Sequence, residues 1–133
     1  MMGSGISAEH TDELAAREAV IATALAMSRS GLSPGRSGNV SCRFGDGMLI
    51  TPTGVAYETL DVGRIVFVGG DGSTRIGELQ PSSEWRFHLA AYRARGDRHA
   101  VVHTHSLHAT VLACAGRPIP AFHYMVALAG GND

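Results

Sequence analysis

His103-Thr104-His105 sets two imidazoles two residues apart. On an extended strand such positions face the same side, which is the spacing of a pair of metal ligands and suits zinc. The same three residues equally fit a polar patch on a sheet surface. Glu84, early in an expected helix and preceded by two serines, could complete a metal site, act as a base beside one, or simply favour the helix dipole. His88 shares a helix face with Glu84 and reads as a surface histidine. Three loops, Gly38-Asn39, Thr53-Gly54 and Ser82-Ser83, are rich in small donors and would hold a phosphate if they converged, although turns are made of the same residue types. His123 and Tyr124 fit either strand aromatics or a proton donor and its neighbour. His99 and His108 read as surface or packing residues.

The elements that must position these side chains follow from turn signals and periodicity. Residues 1 to 10 read as a loose start, and Thr11, followed by Asp12 and Glu13, as the cap of a helix running to about Ser30. Leu14, Ile21 and Leu25 form its expected packed face, and Gly31 its C-terminal stop. Val40 to Phe44, Gly45-Asp46-Gly47 and Met48 to Thr51 read as a β-hairpin. Ile65 to Val68 and Thr74 to Glu78, joined by Gly69-Gly70-Asp71-Gly72, suggest another. Pro81-Ser82-Ser83-Glu84 opens a second helix with Trp85, Leu89 and Tyr92 on one face, ending near Arg95 to Asp97. A strand over Ala100 to His105, a short helix from Ser106 to Ala115 and a strand over Ala121 to Val126 complete the pattern.

Composition narrows the chemistry. The chain has 133 residues, 44% hydrophobic and 17% charged, enough for one domain with one core over residues 1 to 133. Glycine contributes 17 residues without a repeat, which points to many tight turns. Eleven basic residues balance twelve acidic ones, with no basic block, so a nucleic-acid partner is not expected. All eleven are arginine, which excludes Schiff-base and P-loop lysine mechanisms. Cys42 and Cys114 form no CxxC and read as buried thiols of a reducing cytoplasm. No apolar stretch is long enough to span a bilayer and no signal peptide precedes the chain, so a cytoplasmic protein without a membrane partner is expected.

Taken together, Gly38-Asn39-Val40-Ser41, Ile50-Thr51-Pro52-Thr53-Gly54, Pro81 to His88, Val102-His103-Thr104-His105 and His123-Tyr124-Met125 resemble the class II aldolase and adducin family from about residue 14 onward. The resemblance implies an α/β fold, a central and mostly antiparallel sheet flanked by helices, assembled as a fourfold tetramer with active sites between subunits. It implies that His103 and His105 are two of three zinc histidines, one Zn2+ per subunit. Glu84 would alternate between metal ligand and catalytic acid/base. Gly38, Asn39, Thr53, Gly54, Ser82 and Ser83 would cradle the phosphate of a ketose 1-phosphate. Tyr124 would serve the aldehyde oxygen across a subunit interface. The implied reaction is zinc-dependent aldol cleavage to dihydroxyacetone phosphate and a small aldehyde such as lactaldehyde, the metal stabilising the enediolate in place of a lysine.

The third zinc histidine of the family lies in a segment with no counterpart here, so the fold is expected to be incomplete at the C-terminus, with strand edges exposed. Three readings compete with an aldolase. A sugar-phosphate 4-epimerase of the same family is one, although there the residue after the two serines is Asp where this chain has Glu84. A non-catalytic adducin-like scaffold and an inactive truncated remnant are the others.

Overall fold

A computed structural model describes residues 8–121 and 123–129. The chain runs α1 (Ala8–Arg29), β1 (Asn39–Phe44), β2 (Gly47–Ile50), β3 (Val66–Val68), α2 (Trp85–Ala94), β4 (Ala100–His103) and α3 (Leu107–Cys114), with single 3-10 turns at Tyr57–Thr59 and Val62–Arg64 and a longer one at Tyr124–Ala129. Residues 1–7 of the expected loose start and residues 130–133 lie outside the described residues.

The four strands form one antiparallel sheet in the order β3-β2-β1-β4. This is the expected central antiparallel sheet flanked by helices. Side chains alternate across it as a period of two requires. Leu49 and Val40 enter a cluster with Val20, Ala24 and Met27 of α1, together with Tyr57 and Ile65. Met48, Ile50, Val66 and Val68 face the other way and pack on Leu89 and Tyr92 of α2. Strand β2 is buried on both faces, so it reads as the unbroken apolar run Met48-Leu49-Ile50.

Several expectations need correction. The buried stripe of α1 is Val20, Ala24 and Met27, with Ile21 and Leu25 at its margin and Leu14 exposed. The helix starts three residues before Thr11, which lies inside it. Thr74 to Glu78 does not become a strand: one bridge joins Val68 to Thr74, and the chain then turns away at Gly77, whose φ is 88°. The Glu78 carboxylate instead accepts from the Phe67 N–H at 2.8 Å, satisfying a donor on the outer edge of β3 that a strand partner would have met. Strand β4 ends at His103, two residues earlier than expected. The segment expected as a strand from Ala121 holds a 3-10 turn from Tyr124 onward, and Phe122 lies outside the described residues. Cys114 is exposed and Cys42 half-buried, so the two are not a pair of core thiols.

Candidate active site

Glu84, His103 and His105 come together at one end of the sheet. Register does most of this: Asn39, the first residue of β1, pairs with His103, the last of β4. Gly38 makes the close approach possible. Its φ is 88°, and a Cβ there would lie 2.6 Å from the His103 carbonyl oxygen and 2.7 Å from Ser33 Oγ, so only glycine fits. Buried Ser33 ties the next step, donating to the Ser37 carbonyl at 2.6 Å and accepting from the His105 N–H at 3.1 Å. His105 lies beyond the strand, yet its ring stacks on His103 with centroids 4.9 Å apart.

Glu84 arrives from the opposite side. It sits immediately before α2, in the capping position, but its side chain makes no capping hydrogen bond. The carboxylate reaches the sheet instead, where Oε2 accepts from Asn39 Nδ2 at 2.7 Å and lies 3.1 Å from His103 Nδ1. One potential ligand atom from each of Glu84, His103 and His105 falls within 4.8 Å of the other two. The His103 Nδ1 contact with Glu84 lacks hydrogen-bond alignment, and this buried nitrogen has no hydrogen-bond partner. A buried ring nitrogen without a partner costs free energy unless an ion or proton meets it. A carboxylate with two imidazoles is also a donor set that suits zinc, so the residues present fit a divalent ion.

The three donor loops converge beside this cluster. Pro52 and Pro81 form a β-bridge, the Ser82 N–H donates to the Thr51 carbonyl at 3.0 Å, and the Thr53 N–H donates to the Gln80 carbonyl at 3.0 Å. These bonds bring loop 51–54 against the approach to α2. The result is a cleft of about 280 Å³ to which Gly38, Asn39, Thr53, Gly54, Ser82, Ser83, Glu84 and His105 all contribute. The cleft therefore gathers small neutral donors next to a carboxylate and an imidazole. That arrangement can hold a phosphate at one end of a small molecule and work on its other end.

Sequence reading misses Arg36 in the lining of the cleft and the burial of His88 behind it. Arg36 also lines the cleft, its Nη1 donating to the Gly54 carbonyl at 3.1 Å, which puts a guanidinium among the neutral donors. It sits in an irregular loop where no periodicity marks it. His88 was expected on the surface and is instead 0% exposed. It packs between α2 and β1, bonded to Asn39 and Ser41. Burial above all, then the neighbouring His103, pushes its pKa down to about 4, with Glu84 opposing. The four-residue spacing from Glu84 places His88 on the same helix face but does not say that β1 covers it. Tyr124 is 78% exposed and does not line the cleft of its own chain.

The end of β4 and the residues just beyond it bring two histidines, and the start of α2 a carboxylate, into a cluster that could hold a metal ion beside a cleft of small donors. The model of the class II aldolase and adducin N-terminal domain matches residues 18–133, and the chain belongs to that family. It is 58% identical over 114 residues to an L-fuculose phosphate aldolase of Escherichia coli O157:H7, covering 86% of this chain and 53% of that protein. It is 53% identical over 120 residues to a 5-methylthioribulose-1-phosphate/5-deoxyribulose-1-phosphate aldolase of Rhodospirillum rubrum, covering 90% of this chain and 54% of that one. Among solved structures, an L-fuculose 1-phosphate aldolase superposes with a TM-score of 0.78 at 34% identity, over 95% of this chain and 58% of that chain. The chain thus spans about half the length of the curated relatives it matches.

Proposed function

We propose that the protein is a zinc-dependent aldolase that cleaves a ketose 1-phosphate, L-fuculose 1-phosphate in the first instance, to dihydroxyacetone phosphate and lactaldehyde. The observation that carries this is the convergence of Glu84, His103 and His105 to within 4.8 Å beside the cleft of small donors. Similarity to relatives named for different phosphorylated sugars supports a phosphorylated sugar as the substrate class.

His103, His105 and Glu84 would hold the ion, which when bound supplies Lewis-acid polarisation of the substrate carbonyl. Gly38, Asn39, Thr53, Gly54, Ser82 and Ser83 bind the phosphate through backbone and side-chain donors, Arg36 adding charge. This anchoring sets the reacting carbon beside Glu84, whose carboxylate takes and returns the proton there. Tyr124 of a neighbouring subunit serves the oxygen that becomes the aldehyde, accepting the proton of the C4 hydroxyl on cleavage and returning it on condensation, which accords with its exposed place outside the cleft of its own chain. The reading treats residues 1–133 as one domain of a homo-oligomer, a tetramer. Exposed Leu107, Val111, Ile119, Tyr124, Met125 and Leu128 supply apolar surface for such an assembly. A cytoplasmic location is part of the same reading; no helix among the described residues is long and apolar enough to cross a membrane.

The test is release of dihydroxyacetone phosphate from L-fuculose 1-phosphate, followed with a coupled reductase, for the native protein and Glu84→Gln. Loss of the acid/base is expected to lower kcat by about 10²- to 10⁴-fold while the phosphate cleft still binds. Equal rates for the two proteins would remove Glu84 from the mechanism. Release of a 4-epimer without dihydroxyacetone phosphate would replace the aldolase with an epimerase.

A further inference from the structure

Behind Glu84 runs one continuous line of side-chain hydrogen bonds. Asn39 Nδ2 donates to Glu84 Oε2 at 2.7 Å, Asn39 Oδ1 meets His88 Nε2 at 2.5 Å, His88 Nδ1 meets Ser41 Oγ at 2.7 Å, and Ser41 Oγ meets the Tyr92 hydroxyl at 2.8 Å. Two periodicities build it. Glu84, His88 and Tyr92 recur every four residues along one face of α2, and Asn39 and Ser41 alternate onto one face of β1. Ser41 and His88 are 0% exposed, and Asn39 and Tyr92 are buried as well.

The ionised carboxylate fixes the direction of every link. It only accepts, so the Asn39 NH2 must face it and the Asn39 oxygen must face His88. His88 Nε2 then carries the proton, Nδ1 accepts from the Ser41 hydroxyl, and the Ser41 oxygen accepts from Tyr92. Reversing one link would set two acceptors or two donors face to face away from water.

The geometry points to His88 and Ser41 as positioning residues for Glu84: they lock the Asn39 carboxamide so that its NH2 holds Oε2 in place beside His103. This rests on the proposed role of Glu84 as metal ligand and acid/base, and adds the residues that aim it. His88 touches neither ion nor substrate and acts through Asn39. Its neutral imidazole offers one donor and one acceptor on opposite sides, which a buried apolar residue of similar size cannot supply.

The test compares the native protein with His88→Leu, His88→Gln and Ser41→Ala. Glutamine keeps a donor for Asn39 and an acceptor for Ser41, and leucine removes both. In the metal-free protein at neutral pH, nitrogen NMR is expected to find the His88 proton on Nε2. The Asn39 side-chain NH2 signals should shift in His88→Leu and Ser41→Ala and return in His88→Gln. Zinc titration should show affinity about 10- to 100-fold weaker in His88→Leu, with His88→Gln within about threefold of native. Ser41→Ala keeps the claim testable if the leucine variant does not fold. A proton on Nδ1, or Asn39 signals indifferent to both His88→Leu and Ser41→Ala, would overturn the proposal. Unchanged zinc affinity in both variants would overturn it too. A native protein that binds no zinc would sink the metal reading, and the NMR signals would then decide the positioning claim alone.

Discussion

His88 is the residue on which site and stability meet. A histidine held neutral at a pKa of about 4 in the folded chain regains its ordinary value when unfolded, so the unfolded state binds the extra proton between the two. Stability contributed by this group is therefore complete above about pH 6.5 and is lost as pH falls toward 4, by an amount of order 3 kcal/mol. Denaturant unfolding of the metal-free protein across this range should show that decline, and His88→Gln, which has nothing to titrate there, should flatten it. A slope identical in the two proteins would mean that His88 is not held neutral. Glu84, His103, His105 and the small-donor loops stand out in the sequence by type and spacing, which leave each open to an ordinary structural reading, and it is the family resemblance that joins them into one site. The burial of His88 was not, since it depends on α2 crossing β1 so that His88 meets Ser41, a contact between residues far apart in sequence.

At the scale of elements, the hairpin of β1 and β2, the strand over Val66–Val68, α2 and α3 follow from turn glycines and apolar runs, and all lie close to where these signals place them. One miss has a non-local cause. Thr74 to Glu78 has strand-like spacing, but the Glu78 side chain takes the place of a strand by satisfying Phe67, and a local pattern cannot foresee that exchange. Pairing of β1 with β4 is likewise non-local, and it is what seats Asn39 beside His103. Gly38 guards that junction. Gly38→Ala is expected to cost about 2 kcal/mol or more, from the strained φ together with the clash on the His103 carbonyl. Gly54→Ala makes the natural control, because Gly54 has a φ of 71° but nothing within 4 Å of a new Cβ, so it should cost only about 1 kcal/mol. Equal losses for the two in chemical denaturation would show that backbone conformation alone matters and the close approach does not.

For the whole molecule, the fold is a sheet covered by α1 on one face and α2 on the other, with the site where β1, β4 and the start of α2 meet. Four segments distant in sequence each deliver one part of that site: a loop and strand near residue 39, the loop at 51–54, the turn before residue 85, and the end of β4 with the residues just after it. The family likeness spans all four, and the proposed activity depends on their convergence around one ion. Zinc titrated into the purified, metal-stripped protein by calorimetry tests this most directly, with His103→Ala and His105→Ala alongside. The account predicts one zinc per chain and loss of binding in both variants. A native protein that takes up no zinc, or one whose affinity both variants leave unchanged, would contradict it.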